Sequence, residues 1–95
     1  MKTRSEYHRS IEDQLKEWEE RITILRVETD RNQAKSRTRY REQIEELNQK
    51  KTEIREGLDK LARAHGKDWV NGRREIDRAL GELKSSFQSA AWQII

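Results

Sequence analysis

From Tyr7 to His65 the chain has no proline and a single glycine, Gly57, while its large apolar residues recur three and four positions apart. That spacing lines one face of an α-helix, and the stretch lacks the residues that ordinarily break one. The stripe runs His8, Ile11, Leu15, Trp18, Ile22, Leu25, and it resumes as Tyr40, Ile44, Leu47, Ile54, Leu58, Leu61. In between, the seam turns polar through Thr29, Asn32 and Ser36, and its phase slips by about one residue, which locally alters supercoil winding. The pattern predicts one long helix over about residues 4–64, with a bend or loop near Asp30–Lys35 as the alternative. Unbroken, some 60 residues at about 1.5 Å each would make a rod of roughly 90 Å.

The ends of this helix carry their own signals. Thr3 and Glu6 have the spacing of a capping box, in which each side chain satisfies an amide of the other's first turn. Five acid-before-base pairs at i,i+4 (Glu12 with Lys16, Glu17 with Arg21, Glu46 with Lys50, Glu56 with Lys60, Asp59 with Arg63) suit a solvated helix face. His65-Gly66 reads as a stop, because glycine accepts the left-handed conformation that ends many helices. Asp68 then offers an N-cap for a second helix over about 69–93, which leaves 65–68 as connector. This helix has its own stripe: Trp69, Arg73, Ile76, Leu80, Leu83, Phe87, Ala90, Ile94. Ile22–Val27 alternates like a strand, but no second strand is available to pair with it, so Ile24 and Val27 are read as widening the apolar face.

A short connector makes consecutive helices antiparallel neighbours. The expected fold is therefore all-α and a single domain over 1–95: a long helix followed by a shorter antiparallel one, as a coiled-coil hairpin, or a three-helix bundle if the long helix breaks near 30–35. Folding back about residue 65 sets Ile76 near Ile54, Leu83 near Leu47, Phe87 near Ile44 and Trp92 near Tyr40. Ile11, Leu15, Trp18, Ile22 and Leu25 are then left without a partner in the hairpin. Burying each would contribute about 1.5–3 kcal/mol, too much to leave in water. Either the joint near residue 32 bends and a three-helix monomer covers them, or, as expected first, these five are an oligomer or partner interface, covered by a second copy of the chain (a dimer first) or by a helical protein partner, with Trp18 and Leu25 as its anchors.

Composition narrows the function classes. Of 95 residues, 41% are charged and 32% apolar, so a thick core is out of reach, and the absence of proline argues against a disordered chain. With no cysteine there is no disulfide framework or thiol chemistry. No stretch has the roughly 20 apolar residues of a membrane span, and Met1 leads into a charged run and not an apolar one, so a soluble, cytoplasmic protein is expected. His8 and His65 have no second His and no Cys at helical spacing, the serines lie in polar helical surroundings, and the carboxylates sit at ion-pair spacing. The reading is non-enzymatic, with no metal, no cofactor and no small-molecule substrate.

Two surfaces give alternative functions. Residues 21–41 hold seven basic side chains and two acidic ones. Arg31, Lys35 and Arg39 form one i,i+4 row and Arg37 with Arg41 another, a pattern that can contact the phosphates of a nucleic acid. After Lys84 the chain is uncharged, and Leu83, Phe87, Ala90, Ala91, Trp92, Ile94 and Ile95 make an apolar C-terminus that suits a membrane surface.

Gln14-Leu15-Lys16-Glu17-Trp18, Gln43-Ile44-Glu45-Glu46-Leu47 and Gly66-Lys67-Asp68-Trp69, followed by Ile76, Leu80, Leu83 and Phe87, together resemble a group of small bacterial coiled-coil-domain-containing proteins. The likeness spans most of the chain. It departs at Leu80, where members carry a tryptophan, near Glu75, where they carry a glycine, and in an arginine-rich middle where theirs is richer in alanine. The resemblance implies a cytoplasmic, all-helical bacterial protein and carries over no catalytic residue or cofactor.

Overall fold

The computed structural model describes residues 3–31 and 34–94, with the side chains of 34–37, 93 and 94 excepted. It is all-helical, with three helices and no strand among the described residues: α1 (Arg4–Arg31), α2 (Ala34–Leu61) and α3 (Lys67–Ile94), 28 residues each. Ile22–Val27 is helical. At about 1.5 Å per residue such a helix is about 42 Å long, in keeping with overall extents of 50 × 17 × 17 Å. The start of α1 is a reciprocal capping box: the Glu6 amide donates to Thr3 Oγ1 at 3.1 Å, and the Thr3 amide donates to Glu6 Oε2 at 3.3 Å.

The long helix expected over 4–64 is two helices, and the 90 Å rod is replaced by a chain turned back on itself. The passage through Asn32 and Gln33, where a bend or loop was the alternative, lies outside the described residues. Ion pairs fix the relation of α1 to α2. Glu12 lies 3.7 Å from Arg55, Glu19 3.8 Å from Lys51 and Asp30 3.7 Å from Arg41, so residue numbers fall on α2 as they rise on α1. The helices are antiparallel. Aromatic contacts set α3 parallel to α1: Tyr7 meets Trp69 edge-on with centroids 5.9 Å apart, and Trp18 meets Phe87 at 5.3 Å.

The consequence reaches the stripe that had no partner. Ile11, Leu15, Trp18, Ile22 and Leu25 are all buried within this one chain, in a core shared with Ile44, Leu47, Ile54, Leu58 and Leu61 of α2 and Ile76, Leu83 and Ala90 of α3. No second chain is needed to cover these five. A break between α1 and α2 lets the chain cover them itself, without the translational entropy cost of a partner. Thr29, which continues the seam, is wholly buried, and its hydroxyl donates to the Leu25 carbonyl at 2.8 Å. A polar side chain thus sits in the core with its donor satisfied by its own helix.

At the other end α2 closes at Leu61. The amides of Arg63 and Ala64 donate three residues back, to Lys60 and Leu61, in the tight pattern of a fraying helix end. Gly66 follows at φ 55°, the conformation expected of it. α3 starts at Lys67, so Asp68 is inside its first turn and not its cap; there its charge still favours the helix dipole. Gly72 lets α3 pass close to α2, since a Cβ there would lie 2.9 Å from Leu61 Cδ1.

If the stripe is core, Ile22→Ala should cost as much as Leu58→Ala, about 2–5 kcal/mol each by urea unfolding, and neither should depend on protein concentration. A cost for Ile22→Ala that grows on dilution would return the stripe to an interface between chains. Gly66→Ala should cost about 1 kcal/mol, because an alanine is strained at this φ.

Candidate functional site

The two ends of the fold differ in kind. At the end where α1 begins, cations and aromatic rings interleave. The Arg4 guanidinium donates to the backbone carbonyl of Leu61, which also accepts from the Ala64 amide, and to that of Ala64, just beyond the end of α2. It also stands 5.4 Å from the centre of the Trp69 ring. Arg73 lies 5.2 Å from the Tyr7 ring and 5.8 Å from Trp69. The Tyr7 hydroxyl donates to Asp77 Oδ1 at 2.7 Å, and the Arg73 carbonyl lies 3.3 Å from it. Burial, then the hydrogen bond to Asp77 and the negative charge of that carboxylate, push the Tyr7 phenol well above its ordinary value against the opposing pull of Arg73.

Beside this cluster an open cavity of about 480 Å³ is lined by Arg4, Ser5, His8, Arg9, Glu12, Leu61, Ala62 and Trp69. His8 Nε2 is 3.0 Å from Glu12 Oε1, and Glu12 reaches Arg55 as well. Glu12 therefore serves a pair across the α1–α2 seam as well as one along its own helix. The expected partner for Arg21 was Glu17; its guanidinium instead lies 4.9 Å from the Trp18 ring centre. Arg4, Tyr7, His8, Glu12, Arg73 and Asp77 all have partners within the fold. The arrangement ties the first turns of α1 to the α2–α3 connector.

The opposite end gathers the end of α1, the start of α2 and the end of α3. The break between helices divides the expected row Arg31, Lys35, Arg39, because Arg31 closes α1 while the other two belong to α2. Arg31 lies 3.8 Å from Glu28, and Arg41 is the partner of Asp30. Arg39 is exposed. The side chains of Lys35 and Arg37 lie outside the described residues. The basic zone is thus a corner of the fold and not a stripe along a rod.

Trp92, expected beside Tyr40, is 87% exposed. Nine residues, two and a half helical turns, separate it from the fully buried Leu83, so it faces the other way. That offset is readable from the numbering, although Trp92 stands beside the stripe residues Ala90 and Ile94 in the sequence. With Phe87, Gln88 and Ala91 it lines an open groove of about 630 Å³. Ile24, 63% exposed, and Val27 do not widen the core face; both look outward from α1. Five residues beyond Phe87 comes Trp92, and six beyond its partner Trp18 comes Ile24. At about 1.5 Å per residue, Ile24 and Trp92 lie within a turn of the same level.

No helix among the described residues is long and apolar enough to cross a membrane, and none of those residues form a His, Cys, Asp and Glu cluster that could hold a metal ion. No family model matches the chain, and comparison with curated proteins and with solved structures finds no match.

The raised Tyr7 phenol has a pH consequence. Above the unfolded value of about 10, the unfolded chain loses this proton while the folded one keeps it, so the stabilisation present below that pH is lost as pH rises. Urea midpoints should fall more steeply above about pH 10 for the native chain than for Tyr7→Phe. Of the two tyrosines, one should ionise, by absorbance near 295 nm, only as helix is lost. Equal slopes for the two chains would contradict the buried hydrogen bond to Asp77.

Proposed function

We propose that the chain is a non-enzymatic interaction protein: a three-helix bundle that completes its own core and meets its partner through the end carrying Trp92. The observation that carries this reading is the lopsided distribution of exposed apolar side chains. Among the described residues, Ile24, Val27 and Trp92 lie towards one end, and Val70 alone lies at the other. In a chain so rich in charge, a largely solvent-exposed tryptophan is a conspicuous use of an apolar residue, and tryptophans rank first among residues that anchor interfaces. The opposite end is occupied with holding the helices together.

Self-association through Ile11, Leu15, Trp18, Ile22 and Leu25 is no longer the favoured form of this function, since those side chains are spent on the core. Nucleic-acid binding through Arg31, Lys35, Arg37, Arg39 and Arg41 stays with the same end of the molecule. There, Arg31 and Arg41 already face carboxylates.

Radical footprinting tests the reading without naming a partner. In cells, Trp92 and Ile24 should be labelled several-fold less than in the purified chain, while Val70 is labelled alike in both. Equal labelling of Trp92 in the two settings would contradict a partner at the end carrying Trp92.

A further inference from the structure

The reading just given leaves the chemistry of the partner open, and two features that the fold brings together narrow it. The first is charge. The last turn of α1 and the first two turns of α2, Glu28–Arg31 and Ala34–Arg41, carry five basic residues and two acidic ones. Glu42 follows at once and Glu45 and Glu46 one turn deeper along α2, so the positive excess is confined to the tip. The second is the absence of charge next to it. From Ser85 to Ile95 the chain has no ionisable side chain, and residues 85–94 end α3 at that same tip with Trp92 turned outward. In the linear sequence the basic zone and the apolar C-terminus lie some fifty residues apart and read as rival features. In the folded chain they are neighbours.

We propose that this end docks on a bilayer surface bearing anionic headgroups, with Trp92 at headgroup depth and Arg39 and its basic neighbours against the lipid phosphates. Charge complementarity selects the anionic surface, since a juxtamembrane basic cluster is drawn to it and the attraction fades within a Debye length. The aliphatic side chains select lipid over nucleic acid. Phosphates would satisfy the arginines, and a base could stack on Trp92, but Ile24 and Val27 gain only from a medium of low polarity. Tryptophan favours the interface because its ring is apolar and its indole N–H finds acceptors among the headgroups. The two weak signals act together, as reversible peripheral binding requires. The chain lies on the membrane and does not span it, consistent with helices too polar to cross.

Vesicle flotation tests this with the full chain. The native protein should float with vesicles of phosphatidylcholine mixed with phosphatidylglycerol and stay behind with phosphatidylcholine alone. Its tryptophan emission should move to the blue on binding. Trp92→Ser and Arg39→Glu alter exposed side chains, so their circular dichroism should match the native chain, yet each should weaken binding by about tenfold. Raising the salt should weaken the native chain in the same way. No flotation with the anionic vesicles, or flotation that Trp92→Ser leaves unchanged, overturns the proposal. Retardation of RNA or DNA, lost in Arg39→Glu and seen without vesicle binding, would overturn it in favour of a nucleic acid at the same end. In either case, protection of Trp92 in cells would leave the interaction reading standing. Its failure in the footprint would remove both.

Discussion

Five apolar side chains on α1 have to be taken out of water, and the rest of the structure depends on how that is done. Ile11, Leu15, Trp18, Ile22 and Leu25 would each gain about 1.5–3 kcal/mol from burial, against a net stability for a domain of this size of only about 5–15 kcal/mol. A straight helix through residue 64 would offer these side chains to another molecule. A chain that stops α1 at Arg31 and starts α2 at Ala34 can bring α2 alongside and let α3 close the seam. The T-shaped contact of Trp18 with Phe87 is where α3 completes that cover. It also sets the level at which Trp92 and Ile24 stand.

Local signals in the sequence were the most legible. Thr3 and Glu6 cap each other as their spacing indicated, Gly66 takes the left-handed conformation, and the stripes of α2 and α3 point inward at Ile44, Leu47, Ile54, Leu58, Ile76 and Leu83. These features rest on a few neighbouring residues, so periodicity and capping chemistry suffice to find them. The end of α1 was harder to read, because no glycine or proline marks it. Its signals were indirect: a seam that turns polar from Thr29 onward and a stripe with nothing to cover it. Both were visible, but they admit a partner chain as readily as a return of the same chain. Only the position of α2 decides between them.

At the candidate site the sequence was legible in content and misleading in grouping. The basic residues and the uncharged C-terminus were each apparent, whereas their meeting at one end depends on the turn between α1 and α2. Trp92 lies beside the stripe residues Ala90 and Ile94 in the sequence, although its nine-residue offset from Leu83 turns it outward. The cluster of Arg4, Tyr7, Trp69, Arg73 and Asp77 went unread for a related reason. Its members come from both ends of the sequence, and no spacing rule connects Tyr7 with Asp77, 70 residues away. The division of labour follows from these placements. One end holds the helices together with aromatic rings and guanidinium groups, and the other keeps Ile24, Val27, Trp92 and Arg39 exposed.

The central claim is that α3 of the same molecule covers α1. Isotope-filtered NMR on a mixture of labelled and unlabelled chains tests it most directly, through the nuclear Overhauser contact between the rings of Trp18 and Phe87. The account predicts that this contact appears within labelled chains and is absent from spectra selecting pairs on different molecules. A contact seen only between molecules would contradict it: the stripe would then be an interface, and α3 would belong to a partner's core.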